Sequence, residues 1–166
     1  MRAKALMLPK NSDIDWSHFE KTLHDRFDVN VVTLKKNGVR KTSGDVRWAN
    51  ELCALIKTNP NGASRICDRI LKNLINETKA TKAFTTGECA AGMNKIVLPI
   101  IQNDELNGFV NICGRPFINT DRIYTDYIGE TTNVEVEKIR KLLSALRPID
   151  PRTVKTMKGF IISYVN

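Results

Sequence analysis

Residues 86–115 constrain the fold more than any other part of the chain, because they predict two strands joined by a polar turn. The run 95–102 is almost wholly apolar and has the length of a strand, and 108–113 follows as its partner strand. Pro99 lies inside the first strand, which predicts an edge or bulged position because proline has no N–H to donate to a neighbour. The rest of the fold is expected to be organised around this antiparallel hairpin.

Helices and further strands lie on both sides of the hairpin. Apolar residues recur at three- and four-residue spacing along several segments, which is typical of amphipathic helices. The predicted helices cover residues 13–28, 48–57, 63–78, 120–129 and 134–146, and a last helix begins at Pro151 with Asp150 as its cap. Ser12 or Asp13 is expected to cap the first helix and Thr120 the fourth.

Strands are also predicted at residues 29–36 and 82–89. Asn37-Gly38 predicts a two-residue hairpin turn that leads into 39–42, and the sequence Asn59-Pro60-Asn61-Gly62 is expected to end a helix. These elements predict an α+β domain in which an antiparallel sheet is flanked by helices. Residues 1–28 are predicted to be an N-terminal helical extension, and residues 29–166 the main domain with its C-terminal helices.

Composition limits the class of protein. With 166 residues the chain is long enough for one domain with a core, and 42% apolar and 27% charged residues indicate a folded protein. No apolar run approaches the roughly 20 residues that a membrane helix needs, and the N-terminus does not resemble a signal peptide. Four cysteines in such a chain predict reduced thiols in the cytoplasm.

The formal charge of +8 allows contact with nucleic acid, but the basic residues are scattered. They include Lys35, Lys36, Arg40 and Lys41 around one turn and Lys138, Arg140 and Lys141 on a C-terminal helix. A nucleic-acid site needs its charges on one face, so a solvated basic surface is the preferred interpretation. A basic nucleic-acid-binding module is kept as an alternative, and it predicts salt-dependent retention on DNA or RNA.

The motifs of common enzymes are absent from the sequence. It has no glycine-rich phosphate loop, no His-Glu-x-x-His and no nucleophile elbow. His18 and His24 are six residues apart on the first helix, where they do not share a face well, and each is interpreted as solvated or adjacent to a helix cap. The chain is therefore predicted not to be an enzyme.

The cysteines are the most informative side chains. Cys53, Cys67, Cys89 and Cys113 fall on different predicted elements, and no two are close in sequence as zinc ligands usually are. Cysteine is often buried as a small apolar residue, and this interpretation is preferred. A shared metal or redox site remains the alternative.

Several of these features recur together in a known family. They are Asn50 and Cys53 on one helix, Cys67 on the next, Cys89-x-x-Gly92, the Pro99-Ile100 strand and the strand that begins at Gly108. In order and spacing they resemble the PocR-type sensory domain, a PAS/GAF-like module of bacterial and archaeal signalling proteins, over residues 27–165. Two positions depart from the family pattern: Ala90 replaces a common histidine, and Cys113-Gly114 replaces Gly-Gly.

The resemblance implies a PAS/GAF-like fold, a small organic ligand and a signal passed to a partner module. A pocket is expected on the concave face of the sheet, closed by the helices 48–57 and 63–78, with Arg115 able to hold a carboxylate or phosphate. The expected lining residues are Cys53, Cys67, Cys89, Met93, Pro99, Cys113 and Arg115. The alternative is a metalloprotein sensor in which the four cysteines hold zinc, an iron–sulfur cluster or haem. Apolar stripes on the terminal helices further predict a homodimer.

Overall fold

The fold is described by a computed structural model for residues 5–8, 13–117 and 124–165. Within these ranges five strands form one sheet: β1 Leu6–Leu8, β2 Asn30–Lys35, β3 Thr85–Glu88, β4 Met93–Gln102 and β5 Glu105–Pro116. Their order is β1-β4-β5-β2, and β3 also pairs with β4. Only the pairing of β1 with β4 is parallel among these strands, so the sheet is mixed. The predicted hairpin corresponds to β4 and β5.

Helices flank the sheet on both faces. They are α1 Trp16–Phe27, α2 Glu51–Thr58, the short turn α3 Pro60–Gly62, a π-helix Ala63–Asp68, α4 Arg69–Thr81, α5 Thr125–Thr132, α6 Val136–Ser144 and α7 Pro151–Val165. The predicted α+β arrangement of a sheet with flanking helices is confirmed.

The first helix begins later than predicted. Asp15 is its cap, because the Asp15 carboxylate accepts a hydrogen bond of 3.0 Å from the backbone N–H of His18. Asp13 lies outside the helix, and Ser12 lies outside the described residues. The predicted cap at Ser12 or Asp13 is therefore replaced by the acidic residue nearest to the helix.

Asp150 caps the last helix, as predicted. Its carboxylate accepts a hydrogen bond of 2.7 Å from the backbone N–H of Thr153, and Pro151 is the first helical residue. The predicted cap Thr120 of the helix before α6 lies outside the described residues. That helix, α5, begins at Thr125 and continues beyond Gly129.

Residues 59–62 restart a helix rather than only ending one. The Asn59 side chain accepts a hydrogen bond of 2.9 Å from the backbone N–H of Gly62, and Pro60 takes the first helical position. The following six residues, Ala63–Asp68, form a π-helix before α4 continues to Thr81. The predicted helix 63–78 is therefore longer and contains a wider turn at its start, a feature often found at functional sites.

Pro99 lies on a central strand, so of its two predicted positions, an edge or a bulge, the edge is wrong. β4 pairs with β5 along one side, and with β3 and then β1 along the other. The pairing with β3 ends at Val97 and the pairing with β1 begins at Ile100, so Pro99 falls between these two partner strands. A gap in the pairing accommodates a residue without an N–H, just as an edge would. The pairing of β4 with β5 also shifts register immediately afterwards, between Ile100 and Ile101.

The turn at Asn37-Gly38 forms, but the strand predicted at 39–42 is reduced to one bridge. The backbone N–H of Lys35 donates to the carbonyl of Val39 at 2.8 Å, and Leu34 makes an antiparallel bridge with Arg40. The chain then continues to the start of α2 at Glu51.

The two faces of the sheet are covered by different helices. On one face α1 and α7 pack against the strands in a core of buried side chains: Phe19, Leu23, Phe27, Ile96, Leu98, Ile100, Val110, Ile112, Met157 and Ile161. On the other face α2, the π-helix and α4 cover the sheet through two further clusters. The apolar stripes of α1 and α7 are thus buried within the chain, so they do not supply the free apolar surface on which the homodimer prediction was based.

Candidate functional site

A cavity of about 310 Å³ lies between the sheet and its covering helices α2 and π. Alternation along the strands explains which side chains enter it. Ile96 and Ile112 join the core beneath α1 and α7, whereas their neighbours Lys95 and Cys113 line the cavity. Trp48, from the segment before α2, forms part of another wall.

Five of the seven predicted lining residues meet at this cavity. They are Cys53, Cys67, Cys89, Met93 and Cys113. Cys53 lies on α2, Cys67 on the π-helix, Cys89 in the turn that follows β3, Met93 on β4 and Cys113 on β5. Only the folded chain brings them together. The cysteines are free thiols.

Pro99 and Arg115 do not line the cavity. The guanidinium of Arg115 donates hydrogen bonds to the backbone carbonyls of Phe27, Arg147 and Pro148 at 2.9, 3.0 and 2.5 Å. Arg115 therefore ties the end of β5 to the end of α1 and to the connection between α6 and α7. Three of its five N–H donors are taken up by this structural role, away from the cysteine-lined cavity.

Two asparagines position the thiols of α2 and β5. The Asn50 side chain caps α2 by accepting from the backbone N–H of Cys53 at 2.7 Å, and it donates to the carbonyl of Gly114 at 2.6 Å. Asn30 on β2 accepts from the backbone N–H of Ala49 at 2.5 Å, which fixes the approach to α2. The start of α2 is thereby anchored to the sheet beside the cavity.

A β-bulge determines the position of Lys95. Asn94 pairs with Arg115 and Ile96 pairs with Ile112, so two residues of β5, Cys113 and Gly114, face the single residue Lys95. Gly114 has φ 103°, a conformation that side chains rarely adopt. The bulge thus sets Cys113 directly opposite Lys95 on the cavity face.

Lys95 is a buried cation with little hydrogen bonding. Its side chain is 2% exposed, and its described hydrogen bond is a long contact of 4.0 Å from Nζ to Cys113 Sγ. Burial lowers the pKa of the Lys95 ammonium, while attraction to the ionised forms of the four cysteines, Cys113 first, raises this pKa by more. That attraction requires thiolates, and it weakens wherever the cysteines are protonated.

The cysteines around Lys95 favour the protonated thiol. Burial raises the pKa of Cys67 to about 11 from 9.0, and it raises the pKa of Cys53 and of Cys89 in the same direction. Neighbouring cysteines add to the rise at Cys53, because like charges repel. At neutral pH these three groups are therefore uncharged and supply no negative charge to the Lys95 ammonium.

The same geometry gives the metal hypothesis no donor set. Within the described ranges, no three histidine, cysteine or acidic side chains are grouped so that they could hold a metal ion. The Lys95 ammonium also acts on all four cysteines electrostatically, and a second cation beside it would be repelled. Zinc, iron–sulfur or haem ligation by these cysteines stays an untested alternative.

The remaining charged groups of the cavity wall are paired. Arg40 forms an ion pair with Glu20 at 3.2 Å, and Lys57 forms one with Asp68 at 2.8 Å. Asn111 on β5 also lines the cavity, and its side-chain oxygen is buried without a hydrogen-bond partner in the described structure. Among the described residues of this wall, Asn111 therefore has an oxygen without a donor, and Lys95 has only the long contact to Cys113.

Sequence reasoning did not identify Lys95 or Asn111. The apolar run predicts a strand that begins at Lys95, but β4 already begins at Met93. Since alternate strand residues share a face, Lys95 lies on the same side as Met93, which had been assigned to the pocket. The two-residue spacing between Met93 and Lys95 is the sequence signal that indicates a position of Lys95 on the cavity face.

His18 and His24 are both on α1, away from the cavity. His24 Nδ1 lies 3.0 Å from the carbonyl oxygen of Val29, so it helps to close the end of the helix. Across the described part of the chain, no helix has the length and apolar character needed to cross a membrane.

The fold and cavity define an α+β domain with a ligand-sized pocket between its sheet and one helical layer. A family model described as the sensory domain found in PocR matches residues 18–166. The chain belongs to this family of sensory domains, as its sequence marks indicated. The comparisons with curated proteins and with solved structures returned no match.

Proposed function

We propose that this chain acts as a cytoplasmic sensor, not as an enzyme, and that it binds a small organic molecule in the cysteine-lined cavity. Membership of a sensory family supports the general role. The cavity supports the more specific one, because its volume of about 310 Å³ lies at the lower end of the roughly 300–1,000 Å³ found for ligand pockets. A small ligand is therefore expected.

The observation that carries the proposal is the mixture of side chains in the cavity wall. Trp48, Ile56 and Met93 offer apolar surface, whereas Lys95 and Asn111 offer polar groups with few partners. Ligand pockets are typically apolar with a small number of placed polar groups that fix orientation. A merely structural core has no reason to bury such groups without partners.

A signal can leave the cavity through β5. Cys113 and Gly114 form the bulge at the cavity, and Arg115 follows directly and contacts the carbonyls of Arg147 and Pro148 ahead of α7. We propose that a ligand shifts the bulge and thereby the start of α7, which would present the change to a partner protein. Hydrogen exchange should then slow at residues 113–115 and at the start of α7 when ligand binds.

Native mass spectrometry of the protein as isolated is the direct test of ligand binding. We expect a bound small molecule, released on denaturation, whose removal lowers the melting temperature. The variant Cys67→Phe should fold and lose the molecule, because Cys67 is half-buried in the wall and a larger ring would occupy the cavity. Cys67→Ala is the matched control and should retain it. Equal loss in both variants, or no ligand and no binding from a metabolite library, would refute the pocket assignment.

A further inference from the structure

We propose that the ligand of this cavity is an organic anion, a small carboxylate whose charge pairs with the ammonium of Lys95. The inference rests on the proposed ligand-binding function and specifies the chemical class of the ligand. It replaces the predicted role of Arg115, whose guanidinium is held by three backbone carbonyls elsewhere.

The charges of the cavity wall leave one cation without a counter-ion. Arg40 is paired with Glu20, and Lys57 with Asp68. Over the residues that the structure describes, Lys95 forms no ion pair with a carboxylate. The wall therefore carries net positive charge, located at its most buried charged residue.

Burial makes this missing partner significant. An ammonium has three donors and no acceptor, and an unpaired charge inside a protein is strongly unfavourable. A contact of 4.0 Å to Cys113 Sγ is too long to satisfy those donors. A carboxylate in the cavity would supply both the opposite charge and short hydrogen bonds.

Asn111 specifies a second group on the ligand. Its side chain is 6% exposed, lines the same cavity and has an oxygen without a donor. Asn111 precedes Cys113 by two residues on β5, so it lies on the same face, diagonally across from Lys95 on β4. A hydroxyl on the carbon next to the carboxylate could donate to this oxygen while the carboxylate contacts Lys95.

The apolar part of the wall limits the rest of the ligand. Trp48, Ile56 and Met93 line the cavity around the polar groups. A short hydrocarbon body would bury its surface against them and gain the usual hydrophobic free energy. Together these contacts describe a short-chain hydroxy acid.

The test compares matched probes on the full chain, namely butanoate, its 2-hydroxy derivative and butanamide. Calorimetry and the fluorescence of Trp48 would report binding. We expect the two carboxylates to bind at least about tenfold more tightly than the amide, because a hydrogen bond to a charged group is stronger than one to a neutral group. The hydroxy acid should bind more tightly than butanoate, and Asn111→Leu should remove that difference.

The variant Lys95→Met should remove the preference for carboxylate over amide. Lys95→Gln should do the same, which would show that the loss comes from the missing charge and not from the packing of methionine. Lys36→Met is the matched control, since it deletes the same charge from an exposed position outside the cavity. Circular dichroism of each variant without ligand would establish that it folds.

The outcomes separate the two proposals. If butanamide binds the unmodified protein as tightly as butanoate, or if both Lys95 variants keep the preference, the anion inference is wrong while the sensory pocket stands. If no probe binds, the carboxylate class is refuted. Native mass spectrometry then decides separately whether the cavity holds a ligand of another class.

Discussion

The ammonium of Lys95 lies inside the protein because two local features coincide. Its strand begins two residues earlier than the apolar run suggests, and the bulge of β5 places Cys113 opposite it. The charge then faces thiols that burial keeps protonated at Cys53 and Cys67. Such an arrangement is costly for stability, and the proposed binding of an anion would compensate that cost.

Removing this charge should therefore not destabilise the ligand-free protein. We expect Lys95→Met to leave the free energy of unfolding unchanged or to raise it by up to roughly 2 kcal/mol, since a buried charge is replaced by an apolar side chain of similar length. Urea denaturation of ligand-free protein measures this. Lys36→Met, at an exposed position, should change stability by less than about 0.5 kcal/mol. A large loss of stability on removing Lys95 would show that its charge is already compensated.

The thiols predict how stability depends on pH. Well below pH 9.0 the thiol of Cys67 is protonated in both states, so its contribution is constant. As pH rises from 9.0 to about 11, this thiol ionises in the unfolded chain but not in the folded one, so stability should fall. Burial of Cys53 and Cys89 acts in the same direction.

Cys67→Ala should make this fall less steep. The slope of the unfolding free energy against pH should change by an amount that corresponds to the release of up to one proton on unfolding. Chemical denaturation at a series of pH values measures the slope. Ser64→Ala, an exposed change in the same π-helix, is the control and should leave the slope unchanged. An identical slope in Cys67→Ala and the unmodified protein would contradict the burial of this thiol.

At the scale of elements, the bulge of β5 and the start of α2 form one unit. The Asn50 side chain at the start of α2 donates a hydrogen bond to the backbone carbonyl of Gly114. The Asn30 side chain on β2 accepts one from the backbone N–H of Ala49, the residue before Asn50. Gly114 can sit there because it lacks a Cβ. A Cβ at this position would lie 2.7 Å from Asn30 Nδ2 and 3.0 Å from Ala49 Cβ, closer than side-chain atoms normally approach.

Gly114→Ala should consequently destabilise the protein more than backbone strain alone would. Gly44→Ala is the matched control, because Gly44 has a similar φ of 111° but nothing within 4 Å of the added Cβ. We expect a cost of about 1 kcal/mol at Gly44 and at least twice that at Gly114. Thermal and urea unfolding of both variants measure the difference. Equal costs would show that the contact between the bulge and α2 relaxes freely.

Over the whole molecule, α1 belongs to the same core as the sheet. Phe19 and Leu23 are fully buried with Met157 and Ile161 of α7, and the rings of Phe19 and Tyr164 lie 5.1 Å apart. The family match also begins at residue 18, within this helix. A division of the chain into residues 1–28 and 29–166 stays a prediction.

Homodimerisation through the terminal helices likewise stays a prediction, now without uncovered apolar stripes to drive it. Sedimentation velocity at high micromolar concentration tests it, with a dimer as the expected result. Ser163→Arg places a bulky charge on an exposed position of α7 and should dissociate such a dimer, whereas Ser64→Arg on the π-helix should not. A monomer at this concentration would exclude the terminal-helix interface.

The amino-acid sequence determined those features that depend on neighbouring residues. The spacing of Phe19 and Leu23 set the buried face of α1, the pair Asp150-Pro151 set the start of α7, and the apolar run after Met93 set β4. Each follows from local backbone preference or from a period that is visible within one segment. The sequence marks also indicated the family and the convergence of the four cysteines.

Only the tertiary structure decided the chemistry of the site. Arg115 is held by Phe27 and by residues ahead of α7, and these partners are far from it along the chain. Lys95 is buried because a bulge in another strand and helices from distant segments enclose it. Burial and hydrogen bonding between such distant residues are properties of the packed molecule, and they determine which cation of the cavity wall has no carboxylate partner among the described residues.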